Sequence, residues 1–402
     1  MDEQLHSTAS GFSSTISVTN EEQEIPSNAK FQDSLSTQLQ CISPETKLAF
    51  PVGEPTTSEL QEENPEILPS DDWEFQAEST TGLPFVSKLF FRTNTELWIE
   101  SDGDAIYKYL IDSKEWIPYK TVGDYDIRIN NVFISNKDGA VWGYNHHTYQ
   151  NIPKNQIPVL SRYDEPQDKF VPVLDVDGIL TAENVTSLNQ QPSVDADGII
   201  WMVLSIDGQD FIYSFNPSTL VAEEKALFSN SPWITGLTHA PDGNVWMIDY
   251  HNGQLLYYDV HTESIQIFTG IPDGEVGISS EEIKTIFVLF ADSNERLWIS
   301  DAGWLDFSNL NSIRWYKVIR SPVFVEKHLA PNGYYHWNHP DLIFQSSNNR
   351  YWFSSSAGVV MLDAENTNWC LITTGYSAVT EDTSGNIWMV VFDKVYKLSQ
   401  SK

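Results

Sequence analysis

From about residue 73 onward the chain is a succession of short apolar runs divided by polar clusters rich in Asp, Asn, Gly and Ser. Runs such as Trp246-Met247-Ile248, Leu255-Leu256-Tyr257-Tyr258 and Ile265-Gln266-Ile267-Phe268 are bounded by Asp242-Gly243, Asn252-Gly253 and Thr262-Glu263. Apolar residues do not recur there at the helical spacing, so the pattern predicts short β-strands joined by tight turns.

The runs repeat. Trp98, Trp142, Trp201, Trp246, Trp298, Trp352 and Trp388 each close the same phrase, clearest in Asp197-Gly198-Ile199-Ile200-Trp201, Asp242-Gly243-Asn244-Val245-Trp246 and Ser384-Gly385-Asn386-Ile387-Trp388. Self-similarity with a period of about 40–50 residues marks a repeat architecture. Asp or Asn stands four residues before the Trp in six copies, and the next position is Gly in four copies, one of them after Ser384. Such pairs supply the positive φ of a hairpin turn, so each copy predicts a strand, a turn, and a strand opening with Trp. Further runs, such as Val359-Val360-Met361-Leu362 and Trp369-Cys370-Leu371-Ile372 after Trp352, raise the count to four strands per unit, the make-up of a propeller blade.

Complete units carry an aromatic on the fourth strand (Trp116, Trp315, Trp369), but the chain ends at Lys402 before the seventh unit can supply one. An orphan segment before the first unit, Asp72-Trp73-Glu74-Phe75, resembles Glu115-Trp116-Ile117-Pro118-Tyr119. We therefore expect an all-β, seven-bladed β-propeller over residues 69–402, closed by an N-terminal outer strand around Trp73 that completes the last blade. Closure of this kind removes open sheet edges.

Residues 1–68 are Ser, Thr, Glu, Gln and Pro-rich, with Lys30 and Lys47 their only Lys or Arg. That composition predicts an acidic, flexible arm. The net charge of −33 argues against nucleic acid and anionic membrane as partners, leaving a protein or a small-molecule ligand. No secretory apolar run follows Met1 and no run is long enough for a membrane span, so a cytoplasmic monomer is expected. The two cysteines, Cys41 and Cys370, form no disulfide framework, and Cys370 reads as a buried thiol.

The phrases Glu381-Asp382-Thr383-Ser384-Gly385-Asn386-Ile387-Trp388 and Ala240-Pro241-Asp242-Gly243-Asn244-Val245-Trp246 resemble the two-component-regulator propeller repeat. They are similar, more loosely, to repeats of streptogramin B lyases and gluconolactonase-like propellers. The resemblance runs from about Trp73 to the end and rests on structural residues. It implies a propeller fold and, in the regulator family, a sensor outside a histidine kinase; no kinase segment stands in this sequence.

Candidate chemistry lies in the parts that do not repeat. Eleven residues before each Trp, near one mouth of the axial channel, stand Ser87, Asn131, Gln190, Thr235, Phe287, Asp341 and Ser377, a polar ring with one carboxylate. That is too few for a calcium site, and we expect no cofactor, a divalent cation staying open. In Trp233-Ile234-Thr235-Gly236-Leu237-Thr238-His239 the Trp stands where lyase-like repeats place His. The stretch Tyr334-Tyr335-His336-Trp337-Asn338-His339-Pro340-Asp341 puts two imidazoles and a carboxylate close together, either as a ligand mouth or as a packed surface loop. Glu381 and Asp382 are expected to support a turn, and the Asp-Gly pairs to be hairpin turns. Asn131, Gln190, Trp233, Thr235, His336, His339 and Asp341 are thus the candidate ligand-binding residues; no catalytic set emerges. The expected function is non-enzymatic recognition, of sensor or scaffold type, through one face and its loops. A metal-assisted lyase or lactonase with an axial-channel site is the alternative, and a scaffold acting through its acidic arm the third reading.

Overall fold

The computed structural model describes residues 39–42, 68–70, 73–80 and most of 86–400; the longest stretches outside the described residues are 1–38, 43–67, 145–156, 270–278 and 318–327. Most of the expected acidic arm therefore lies outside the described residues, as do the loop residues 337–341.

Seven antiparallel sheets form the blades of a β-propeller. Blade 1 comprises Val86–Thr93, Glu96–Ser101, Ile106–Leu110 and Glu115–Tyr119. Blade 4 comprises Ile234–His239, Val245–Asp249, Gln254–Asp259 and Ser264–Phe268, and the others repeat this inner-to-outer order. Blade 7 has Ser377–Glu381, Ile387–Val391 and Lys394–Gln400 as its first three strands, and Trp73–Thr80 supplies the fourth. Register runs from Trp73↔Gln400 to Thr80↔Lys394. The ring is thus closed by the strand that the orphan Trp73 announced. One four-residue helical turn, Ser280–Ile283, is the sole α-helix among the described residues.

Each interface between blades is filled by the repeat tryptophans and their neighbours. Trp98 packs with Val132 and Phe170 of blade 2, Trp246 with Leu297 and Leu305 of blade 5, and Trp388 with Leu89 and Leu97 of blade 1. Trp98, Trp246, Trp298 and Trp352 are wholly buried. Aromatic burial on this scale supplies the largest apolar contribution per side chain.

The turn before each Trp has its own chemistry. Position −3 from the Trp takes positive φ at Gly139, Gly198, Gly243 and Gly385, and also at Glu295 (59°) and Asn349 (64°). Position −6 holds an acceptor in four blades, buried at Asp292, Ser346 and Asp382 and half-buried at Asp195. Asp195, Asp292 and Asp382 each accept two turn N–H groups, and each also takes the indole N–H of its own Trp. Ser346 takes the indole of Trp352 at 3.1 Å. In blades 1 and 4 the position is Arg92 and Ala240, and there the buried Nε1 atoms of Trp98 and Trp246 find no partner.

Polar links stitch the turns of successive blades together around the ring. Arg92 Nε donates to Gly139 O (3.2 Å), Lys137 to Asp197 O, and Ala291 N to Thr238 Oγ1 (3.5 Å). Ser193 Oγ lies 2.8 Å from His239 Nδ1. Ser293 N and Oγ donate to Gln345 Oε1, Ser347 N and Oγ to Glu381, and Thr383 bonds Asn94 across the closure.

Scarce cations sit beside the tryptophans. Lys108, Arg162 and Lys397 are the register partners of Trp98, Trp142 and Trp388. Lys108 is buried, with Nζ 2.7 Å from Tyr163 Oη, 2.8 Å from Asp168 Oδ1 and 5.9 Å from the Trp98 ring. Burial opposes ionisation of the Asp168 carboxyl, but the bonds from Lys108, Tyr119 and Tyr163 prevail and hold it at about 2.

Two findings concern the segment before the ring. Leu39–Ile42 pairs antiparallel with both Leu68–Ser70 and the outer strand of blade 6, Trp369–Thr374, extending that sheet to six strands. Cys370, expected to be a thiol, is instead disulfide-bonded. The chain has two cysteines, and Cys41 is the register partner of Cys370. Pairing across adjacent strands brings residues to bridging distance, a proximity that sequence separation concealed.

Candidate functional site

The inner strands place two residues per blade toward the ends of the tight turns: the register partner of the Trp, and the partner of the residue before it. Around the ring, the first set is Phe90, Phe133, Ser193, Thr238, Phe290, Phe344 and Thr380. The second is Phe91, Ile134, Val194, His239, Ala291, Gln345 and Glu381.

Blades 7, 1, 2 and 3 bring both sets together around a cavity of about 360 Å³. Phe90, Phe91, Phe133 and Ile134 form an aromatic and aliphatic wall. Gln191, Ser193, Thr380 and Glu381 add polar groups. The Phe rings are held from behind by the repeat tryptophans: Phe133 stacks on Trp142 at 6.4 Å, and Phe91 meets Trp388 at 5.5 Å. Glu381 is anchored by Ser347 N (2.8 Å) and Ser347 Oγ (2.6 Å), so its carboxylate is positioned from the neighbouring blade. Polar groups make up the larger share of the cavity's exposed lining, with the aromatic rings beside them.

Blade 3 contributes through an irregularity. Its inner strand is split, with Leu188↔Leu204 and then Ser193↔Trp201, so four residues separate these pairs along one strand and two along the other. The two extra residues precede Ser193 and bring Gln191 and Pro192 to the cavity wall.

Behind Ser193 lies His239. Its Nε2 is buried without a partner, and its ring meets Trp201 edge-on at 5.8 Å. Burial pushes the imidazole down to about 4, outweighing the opposing pull of Asp195, so it is neutral at physiological pH.

The candidate ligand-binding residues read from the sequence are distributed differently. Asn131 begins the inner strand of blade 2, paired with Tyr144. Trp233 is 59% exposed, with its ring 5.5 Å from Tyr250. Thr235 is buried at a register shift between Ile234 and Gly236. His336 lies on the short strand Tyr335–His336, paired in register with His328. Gln190, His339 and Asp341 lie outside the described residues. The described structure thus brings Trp233 and Thr235 to the start of one strand, with Asn131 on another blade. Asp382 supports its own turn as expected, and Glu381 supports the turn of blade 6 through Ser347 while also lining the axial cavity. Among the described residues no three His, Cys, Asp or Glu side chains are placed to share a metal ion.

No family model and no curated protein matches the chain. Solved structures share its fold. A streptogramin B lyase superposes with a TM-score of 0.56 at 13% identity, covering 82% of this chain and 98% of the lyase. Virginiamycin B lyase from Staphylococcus aureus gives 0.54 at 16% identity, covering 82% of this chain and 99% of the enzyme. The extracellular domain of a hybrid two-component system from B. thetaiotaomicron gives 0.52 at 15% identity, covering 80% of this chain and 40% of that one. The expected cytoplasmic location is corrected by that extracellular relative. The disulfide at Cys370 agrees with the correction, since such bonds persist in oxidising surroundings. No helix among the described residues is long and apolar enough to cross a membrane.

Proposed function

We propose that this propeller is a non-enzymatic recognition module, of sensor or scaffold type, that works outside the cell and holds a small molecule in its axial cavity. The observation that carries this reading is the cavity's chemistry: Phe90, Phe91 and Phe133 on one side, with Gln191, Ser193, Thr380 and Glu381 beside them. An aromatic wall takes the flat or apolar part of a ligand, and the anchored carboxylate and amide orient its polar part. A rigid ring suits such a site because the lining residues are fixed by sheet pairing and need little reordering on binding.

The test is a ligand screen by thermal shift on the full chain, repeated on Thr380→Trp, which fills the cavity, and on Glu381→Gln. Hits on the wild type should lose at least about tenfold in affinity in the filled variant. Hits that bind Thr380→Trp unchanged would overturn the proposal.

One observation favours a second reading, a lyase-like activity at the same channel. Ser193 lines the cavity and is hydrogen-bonded to a half-buried, neutral His239, which has the protonation state of a general base. Substrate turnover abolished by His239→Gln, with ligand binding intact, would establish it.

A further inference from the structure

Among the described residues that line the axial cavity, Glu381 alone carries charge. Its side chain is half-buried and fixed from blade 6, with Oε2 accepting Ser347 N at 2.8 Å and Oε1 accepting Ser347 Oγ at 2.6 Å. Each carboxylate oxygen thereby takes one bond and keeps acceptor capacity for another. Both bonds are solvent-exposed, so that remaining capacity is accessible.

The cations on neighbouring parts of the chain are engaged elsewhere. Arg92, next to Phe91, donates to Gly139 O, Glu96 and Glu165. Lys88, two residues before Phe90, pairs with Glu100 at 3.4 Å. His239, behind Ser193, adds no charge, because burial holds its imidazole at about 4. Beside the carboxylate stand Phe90 and Phe91, both half-buried and so with ring surface that a ligand can reach.

We infer, on the reading of this cavity as a small-molecule site, that its ligand is an organic amine in the ammonium form, with the cationic group on Glu381 and the apolar body against Phe90 and Phe91. A ligand that fills the cavity takes water away from Glu381, and a carboxylate stripped of water is costly unless a donor replaces it. A neutral hydroxyl restores the hydrogen bond but not the charge. An ammonium supplies both, and aromatic rings attract it as well. An anion would meet Glu381 with no opposing positive charge among the described lining residues. The net charge of −33 acts in the same direction, since it raises the local concentration of cations.

The probes are 2-phenylethylamine, 2-phenylethanol and 3-phenylpropanoate, which share a phenyl ring and differ in charge, titrated against the full chain by ligand-observed NMR at neutral pH. The wild type should bind the amine about tenfold more tightly than the alcohol, the scale of one charge-assisted hydrogen bond at a half-exposed site, and the acid most weakly. Raising the salt from about 50 mM to about 500 mM should weaken the amine severalfold and leave the alcohol unchanged. Glu381→Gln keeps the shape of the side chain and should bring the amine down to the alcohol, and Thr380→Trp should remove the amine. If the alcohol or the acid binds as tightly as the amine and is lost in Thr380→Trp, the cavity reading stands and the amine is the wrong class. Amine binding that is unchanged in Thr380→Trp overturns both. An amine preference that survives Glu381→Gln, or no binding of the amine to the wild type, overturns the assignment alone. Should Glu381→Gln fail to fold, the order of the three probes and their salt dependence decide.

Discussion

Trp388 Nε1 donates to Asp382 Oδ2 at 2.9 Å, and the same carboxylate accepts the backbone N–H groups of Ser384 and Asn386. One side chain thereby ties a tight turn to the aromatic that fills the blade interface. Burial works against its ionisation, but the bonds from Asn386, Trp388 and the backbone hold the carboxyl below its usual range. We expect Asp382→Ala to destabilise the ring by about 2–3 kcal/mol, since a buried indole and two amide donors lose their acceptor. Blade 4 offers the converse. It has the same Asn two residues before its Trp, Asn244, but Ala240 where the Asp belongs, and the Trp246 indole is unpaired. Ala240→Asp should therefore raise the urea midpoint, by about 1 kcal/mol in stability. A lower midpoint would show that the alanine is there for packing.

Glu295 holds the turn position that four other blades give to glycine, at φ 59°. A residue with a Cβ is strained in the left-handed region by roughly 1–2 kcal/mol, part of which glycine returns as unfolded-chain entropy. Glu295 is exposed, so little packing is lost on replacement. Glu295→Gly should stabilise the protein by about 0.5–1 kcal/mol, read as a rise in melting temperature. The matching Gly243→Glu should lower it.

How much of this was legible in the sequence depends on what each feature rests on. The seven blades, the turns and the closing strand at Trp73 were legible because each follows from a local phrase repeated along the chain. The axial lining was not, because counting a fixed distance back from the Trp assumes a constant register. Blade 2 pairs Phe133, nine residues before Trp142, where blade 7 pairs Thr380, eight before Trp388. Blade 3 inserts two residues, and blade 4 shifts register at Thr235. A cue was present in the residues opposite each Trp, four Phe and three Ser or Thr, and it needed strand pairing to be recognised. Of the acceptors at position −6, Asp382 is legible as a turn support, whereas Asp195, Asp292 and Ser346 stand outside the repeated phrase and show their role only through their hydrogen bonds.

The disulfide at Cys370 was invisible for a related reason: two distant cysteines become neighbours only when Leu39–Ile42 lies along the outer strand of blade 6. A cross-link closing a loop this long stabilises chiefly by restricting the unfolded chain, by up to about 4–5 kcal/mol. Cys370→Ser should lower stability by a few kcal/mol and make the edge strand Leu39–Ile42 more susceptible to proteolysis. Reduction of the wild type should reproduce both effects. A cleavage pattern identical in oxidised and reduced protein would show that the strand holds its place without the bond.

His239 gives the ring a dependence on pH that the carboxylates do not. Its imidazole is held at about 4 by burial, against an ordinary value of 6.5. Between those values the unfolded chain takes up a proton and the folded chain does not, so stability rises with pH across that window. The stabilisation is fully present above about 6.5 and is lost as pH falls through about 4, on the order of 3 kcal/mol at full titration. Carboxylates with depressed values, such as Asp168 at about 2, act only at lower pH. Urea midpoints at pH 7.5, 5.5 and 4.5 should therefore fall in the wild type. In His239→Gln, which keeps a side-chain partner for Ser193 and has no proton to take up, the midpoint should change much less across the same range. Parallel slopes in the two proteins would mean that the imidazole titrates freely and that its Nε2 is not shielded from water.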